Sequence, residues 1–257
     1  MEYGRPERNH LLSLLPAEDL SRLERNLRFT LLEAGGTLQQ ANAPIEQVYF
    51  PLDGVVSLLT NFDSGHVVDF AVVGSEGMVG DMAACGVPRV PFSAVVQVAG
   101  SALAAKTSDF IELMNESPAS RDVVGKFQAA LMLQAQQIAA CNAVHSVEAR
   151  MCRWLLQIRN RAQSNVLPVT QEFLSHMLGV QRTTVTLVEQ TLKAAGLVRQ
   201  RRGRIELLDE AGLRARACEC YEHIQRDYRE VLPHHGDDGA PIGAMTETRA
   251  AGRPMMA

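Results

Sequence analysis

Arg182, Thr183 and Leu187, followed by Arg199, Arg201, Arg202 and Arg204, are the side chains in this 257-residue chain whose types and spacing fit a defined chemistry. An arginine fork donates two hydrogen bonds to guanine O6 and N7, and threonine or leucine offers apolar contact to the thymine methyl. Four arginines in six residues, positions 199 to 204, concentrate positive charge that phosphate would offset. The chemistry implied is contact with double-stranded DNA.

Such contacts need a rigid scaffold, and the flanking sequence supplies one. A short helical pattern, Gln171 to Leu178, ends at Gly179, which can turn the chain at positive φ; Val180 plugs the turn. A second helical pattern runs from Arg182 to Ala195 and stops at Gly196. At 100° per residue, Val185, Val188 and Leu192 share its inner face, with Arg182, Thr183, Thr186, Leu187 and Gln190 on or beside the other. Thr170, Gln171, Gln181 and Thr184 complete the residues expected near DNA. Leu197 to Leu208 then forms two alternating runs around an Arg-Gly turn, the pattern of a hairpin wing.

Charge distribution agrees. The chain carries net −4, but Met1 to His145 is −7, Ser146 to Leu208 is +6 and Asp209 to Ala257 is −3. One basic module inside an acidic chain is the asymmetry expected when only part of a protein meets nucleic acid. No apolar run reaches the length of a membrane span and no secretory signal opens the chain, so the expected location is cytoplasmic, without membrane contact. Five cysteines, Cys85, Cys141, Cys152, Cys218 and Cys220, include no Cys-x-x-Cys pair, which favours reduced, buried thiols.

Ahead of the basic module, an interrupted leucine stripe from His10 to Leu27 indicates one or two short helices. From Arg28 to about Lys106 short runs such as Gln47 to Phe50, Val55 to Thr60, Val67 to Val73 and Ala94 to Val98 alternate with Gly, Pro, Asn and Asp. Many short strands at regular spacing predict a small sandwich or roll, and the fold class adopted for it is a jelly-roll, or double-stranded β-helix. Val124, Phe127, Leu131, Gln134, Ile138, Cys141 and His145 then follow steps of three and four, an a/d stripe that predicts a dimerisation helix over 118–145. The competing reading is a core helix packed on its own roll. Ser146 caps a further helix with Val147, Met151, Trp154, Leu155 and Ile158 as its stripe, and Asp209 to Leu232 reads as a last amphipathic helix. The expected organisation is an α+β chain: sensor roll 10–117, dimerisation helix 118–145, winged helix-turn-helix domain 146–232 and a disordered tail 233–257.

This order resembles the Crp/Fnr family of bacterial transcription regulators over roughly His10 to Leu208. Two motifs carry the resemblance: Val169-Thr170-Gln171-Glu172 through Gly179-Val180-Gln181-Arg182-Thr183-Thr184-Val185, and Val48-Tyr49-Phe50-Pro51-Leu52-Asp53-Gly54-Val55-Val56 in the roll. Gly74 to Asp81 falls at the place of the ligand loop. The resemblance implies a homodimeric regulator, not an enzyme, that reads a palindromic operator and works with RNA polymerase under control of a signal at the roll. Arg182 matches the guanine-reading arginine of the family, while Thr183 stands where glutamate is common and Leu187 where some members have arginine. The ligand motif departs further: Gly80-Asp81 and Phe92-Ser93 stand where cyclic-nucleotide binders have Gly-Glu and Arg-Ser or Arg-Thr. A buried phosphate beside Phe92 would lack its cation, which argues against cAMP; no cofactor is assigned and the ligand is unknown.

The remaining candidates carry less. His66 and Cys85 are two unlinked residues, a weak basis for a metal or haem site. Cys218 and Cys220, placed about 200° apart on one helix, would not share an ion, and Cys141 with His145 reads as seam packing more readily than as a metal site across a two-fold axis. No metal is assigned. A cupin-like metal-binding enzyme would need clustered His and Glu in the roll, which offers His66 alone, and a winged-helix interaction scaffold would have to ignore DNA.

Overall fold

Alternating apolar residues between Arg28 and Lys106 close into two antiparallel sheets in the computed structural model, which describes residues 5–232. Helices α1 (His10–Ser13) and α2 (Ala17–Glu24) lead into β1 (Arg28–Leu32), β2 (Thr37–Gln39), β3 (Gln47–Pro51), β4 (Val55–Asn61), β5 (Val67–Val73), β6 (Ser93–Val98) and β7 (Gly100–Lys106). One sheet has the order β1-β7-β3 and the other β2-β6-β4-β5. Val48, Phe50, Val56, Leu58, Ala71, Val73, Ala94 and Val96 fill the space between them. Each of these residues faces inward on a pleat whose neighbours point out.

Helix α3 (Thr107–Glu116) leads to the 27-residue α4 (Pro118–Val144). Ser117 starts α4 by accepting a hydrogen bond from the Ser120 amide at 3.1 Å, and Pro118 occupies the first turn, where its missing N–H is no loss. The a/d stripe is real, but its assignment to a dimer seam is corrected: Val124, Phe127, Gln134, Ile138 and Cys141 are buried within the chain, and Leu131 and His145 are half-buried. The roll and the C-terminal helix cover them. The Phe127 ring lies so close to Gly77 that no Cβ would fit there. Gln134 exchanges hydrogen bonds with the Val72 backbone and donates to the Tyr228 hydroxyl at 3.0 Å. The outward face is Ala129, Met132, Leu133, Gln136, Ala140, Ala143 and Val144, exposed and uncharged.

The C-terminal domain comprises α5 (Val147–Ala162), β8 (Val166–Leu167), α6 (Gln171–Leu178), α7 (Arg182–Ala194), β9 (Val198–Arg201), β10 (Arg204–Leu207), α8 (Glu210–Arg216) and α9 (Cys220–Val231). The single last helix expected from the sequence is two helices. Ala217 takes an extended backbone, φ −66° and ψ 150°, and redirects the chain before α9. Helix α9 then packs along α4 through Ile224 and Tyr228. The tail expected to be disordered, 233–257, lies outside the described residues. No helix among the described residues is long and apolar enough to cross a membrane.

Helix α5 is buried on nearly every side, because the roll, the helix-turn-helix and α8–α9 surround it. It therefore buries Arg150, Arg153 and Arg161 with its apolar stripe. Arg161 Nε donates to Glu76 Oε1 at 2.6 Å, with the two side chains 0% and 2% exposed, and its guanidinium stacks 5.9 Å from the Tyr228 ring centre. Glu76 belongs to the roll, so this ion pair fastens the two domains. Beside it, Trp154 Nε1 donates to Asp69 Oδ2 at 3.3 Å, and burial pushes the Asp69 carboxyl up to about 7 against the opposing pull of Trp154 and Arg153.

Two outcomes follow from these contacts. Glu76→Gln leaves the Arg161 charge buried and uncompensated, which should lower unfolding stability by about 3–5 kcal/mol. In thermal melts this appears as a drop of roughly 10 °C; a drop within about 1 °C would show that the pair carries nothing. The raised pKa of Asp69 means that the folded chain binds a proton that the unfolded chain has lost, so stability is full below the unfolded value of 3.8 and falls as pH rises to about 7. Asp69→Asn should raise the melting temperature at pH 8 and flatten this decline; an unchanged pH profile would contradict the assignment.

Candidate nucleic-acid interface

The helix-turn-helix is set by local chemistry at each boundary. Thr170 Oγ1 accepts from the Phe173 amide at 3.1 Å to start α6. Gly179 ends α6 at φ 60°, and its N–H and that of Val180 bond back to His176 and Ser175. Leu174, Met177 and Leu178 pack against Val185, Val188 and Leu192, and the Trp154 and Phe173 rings meet at a tilt with centres 5.7 Å apart. Arg150 Nη1 donates to the last carbonyl of α6, that of Leu178, at 3.1 Å.

With its inner face held, α7 presents Gln181, Arg182, Thr183 and Gln190 to solvent, and Leu187 is 64% exposed. An isolated leucine this exposed gains nothing from water and fits a groove that offers methyl groups. Thr184 and Thr186 are half-buried, and the Thr186 hydroxyl donates to the Arg182 carbonyl at 3.0 Å, so its methyl is the group left to face outward contacts. Thr170 keeps its place at the start of α6 as a cap. Gln171 is corrected: its Nε2 donates to Glu189 Oε2 at 2.5 Å, which engages the amide inside the domain rather than leaving it for phosphate.

Glu189 is the residue that sequence reasoning missed. It is 3% exposed on α7 and accepts from Gln171 of α6, so its carboxylate ties the two helices of the motif together. Burial raises its pKa, and the Gln171 amide opposes that shift. A glutamate among polar residues gives no pattern that distinguishes it from solvated surface.

The wing sheet has the order β8-β10-β9, with Arg204 paired to Arg201 across a turn at Gly203, φ 68°. Arg199, Arg201, Arg202 and Arg204 are all exposed. Two of them share an acid: Glu206 Oε2 accepts from Arg199 Nη1 at 3.1 Å and lies 3.5 Å from Arg201 Nε. The positive excess therefore sits toward the tip, at Arg202 and Arg204.

The site expected to take a ligand in the roll is a different matter. Gly80, at φ 91°, opens a short 3-10 turn, Asp81–Cys85, and Asp81 is buried among Gln39, Ile45, Leu58, Val79, Met82, Val90 and Phe92. Phe92 packs edge-on to Phe70 with ring centres 5.1 Å apart, and about 10 Å³ remains between the lining residues. That space holds about one water. The charged residue among them is Asp81, whose carboxyl burial pushes up to about 6. Ser93 Oγ already accepts from the Ala41 amide and from Asn61, each at 3.2 Å. These lining residues include no cation that could offset a cyclic phosphate. His66 and Cys85 do not meet either, since His66 bonds Ser64 in an exposed turn and Cys85 bonds Gln128. The thiols of Cys141, Cys218 and Cys220 do converge, together with His145, because the break after α8 places Cys218 outside the helix that carries Cys220.

Comparison with known proteins gives one consistent picture. A model of the Crp-like helix-turn-helix domain matches residues 149–216, and a model of the cyclic nucleotide-binding domain matches residues 30–117. No curated protein matches the chain. Among solved structures, the c-di-GMP responsive global regulator CLP of Xanthomonas campestris is 17% identical, with 76% of this chain and 100% of that one covered at a TM-score of 0.63. A Crp/Fnr-family regulator from Eubacterium rectale is 16% identical over 82% of this chain and 98% of its own, TM-score 0.64. Another from Thermus thermophilus is 22% identical over 74% and 98%, TM-score 0.62. These structures share the fold. With both domain models matched in the order that the roll and the winged helix take here, the chain belongs to the Crp/Fnr family of DNA-binding transcription regulators, which are not enzymes.

Proposed function

We propose that this regulator works in the cytoplasm as a homodimer on a two-fold symmetric DNA site, with Arg182 of each protomer reading a guanine in its half-site. The observation that carries the proposal is the start of α7, where Arg182, Thr183 and Leu187 stand exposed on a helix whose other face is locked into the core. Two such helices need a dimer, since paired recognition helices read half-sites about one helical turn apart. The outward face of α4 supports one. Between Lys126 and Glu148 the chain has no Asp, Glu, Lys or Arg, and Met132, Leu133 and Val144 are 62%, 38% and 75% exposed. Uncharged, small and apolar side chains along one helix suit burial against their own copy.

The small space around Phe92 and the lack of a cation among its lining residues support a signal other than a cyclic nucleotide in the roll. The c-di-GMP response of the Xanthomonas relative is not extended to this chain, because nothing in the filled roll favours an anionic dinucleotide. Family membership supports RNA polymerase as the further partner at promoters.

Gel-shift titrations with symmetric half-sites test the base reading. Arg182→Ala should cost about 1–3 kcal/mol, with the loss concentrated on sites that keep the guanine; equal loss on every sequence would reduce Arg182 to a phosphate contact. Sedimentation tests the dimer face. Leu133→Glu should shift the protein to monomer while its circular dichroism stays unchanged, whereas a persistent dimer would place the interface elsewhere.

A further inference from the structure

Four side chains from three parts of the chain meet at the junction between the long helix and the DNA-binding domain. Cys141 lies in the last turn of α4 and His145 caps that helix; Cys218 lies between α8 and α9, and Cys220 is the first residue of α9. One ligand atom from each, three Sγ and one imidazole nitrogen, lie within 4.8 Å of one another. Cys141 Sγ and Cys218 Sγ are 3.5 Å apart, and Cys220 Sγ is 3.5 Å from His145 Nδ1. A tetrahedral zinc with Zn–S near 2.3 Å and Zn–N near 2.0 Å requires ligand separations of about 3.5–3.8 Å. The three cysteines are 0%, 6% and 1% exposed, so water does not compete for the centre.

We propose that Cys141, His145, Cys218 and Cys220 form a structural Cys3His zinc site that pins α9 and the start of the DNA-binding domain to the end of α4. Soft thiolates with one imidazole select zinc over the hard divalent cations, and four protein ligands leave no open position for a substrate.

Residues around the cluster agree with this assignment. His145 would bind through Nδ1, and its Nε2 lies 3.2 Å from Glu219 Oε1, the carboxylate–histidine pairing that orients a metal-bound imidazole. Three thiolates around one Zn²⁺ leave a net charge of −1. Arg153 acts electrostatically on Cys141, and Arg150 on Cys141 and Cys218. Both guanidinium groups are buried on α5, and each has a buried Nε without an acceptor. Gln137 Nε2 donates to Cys220 Sγ at 3.0 Å, a further bond to a ligand sulfur. Without a metal the same four atoms would place three thiols and an imidazole against each other for little return, whereas ordinary packing would be served as well by alanine or valine.

The full-length protein, purified under reducing conditions without an affinity tag, provides the test. Elemental analysis should find one zinc per protomer, and X-ray absorption should give a first shell of three sulfurs and one nitrogen. Exchange with Co²⁺ should produce thiolate charge-transfer and tetrahedral ligand-field bands in the unmutated chain, a readout that does not depend on any variant folding. Cys218→Ser and His145→Ala should each lower occupancy at least tenfold, and chelation should lower the melting temperature of the unmutated protein. Reduced protein that takes up neither Zn²⁺ nor Co²⁺ would overturn the proposal. So would a Cys141–Cys218 disulfide in metal-free protein, or full zinc occupancy retained in a Cys141→Ser, Cys218→Ser variant.

Discussion

The Glu76–Arg161 ion pair sets the relation between the two domains. Both side chains are withdrawn from water, so neither can leave the other without stranding a charge in a medium that solvates it poorly. The pair is also a crossing point. Arg161 touches Tyr228 of α9, whose hydroxyl accepts from Gln134 of α4, and Gln134 in turn bonds the backbone of β5. Roll, long helix, α5 and C-terminal helix are thereby held at one place. Four residues beyond Glu76, the same loop reaches Gly80 and Asp81 at the wall of the filled roll pocket. A rearrangement of that wall would act on the chain segment that carries the ion pair.

The long helix serves two sides at once, and its composition follows from this. Its inner side needs shape: Phe127 against Gly77, Ile138 in the core, and Gln134 as a paired polar group. Its outer side is exposed among the described residues and carries no charge from Ala129 to Val144. A solvated helix face would be studded with Lys and Glu, so the uncharged face fits a second protomer. At its C-terminal end the thiol cluster joins α4 to α9, close to the junction at which the DNA-binding domain begins.

Much of this was legible in the sequence, and the omissions have physical causes. Strand runs such as Val67 to Val73 were readable because alternation and flanking turns set their limits, and Thr170, Gly179 and Gly196 marked the ends of the recognition unit. The α4 stripe was legible as a stripe, but periodicity reports that a face is buried and does not say against what. Arg150, Arg153 and Arg161 were unreadable as core because a guanidinium is normally outside; they became interior only when three sets of neighbours closed over α5. The same holds for Glu189, whose partner Gln171 lies on another helix 18 residues away. The thiol cluster depends on a helix break at Ala217 that no glycine or proline announces. Phe92 was legible as an uncharged residue at the place of a phosphate-binding arginine, and in the structure it packs edge-on against Phe70.

The central claim is that this chain reads DNA as a symmetric pair of recognition helices. In vitro selection from a randomised duplex library with the purified full-length protein measures this directly. The expected result is an enriched motif with two-fold symmetry, a guanine at a fixed place in each half, and half-sites about one helical turn apart. Enrichment of a single asymmetric half-site, or of no motif at low salt, would contradict it.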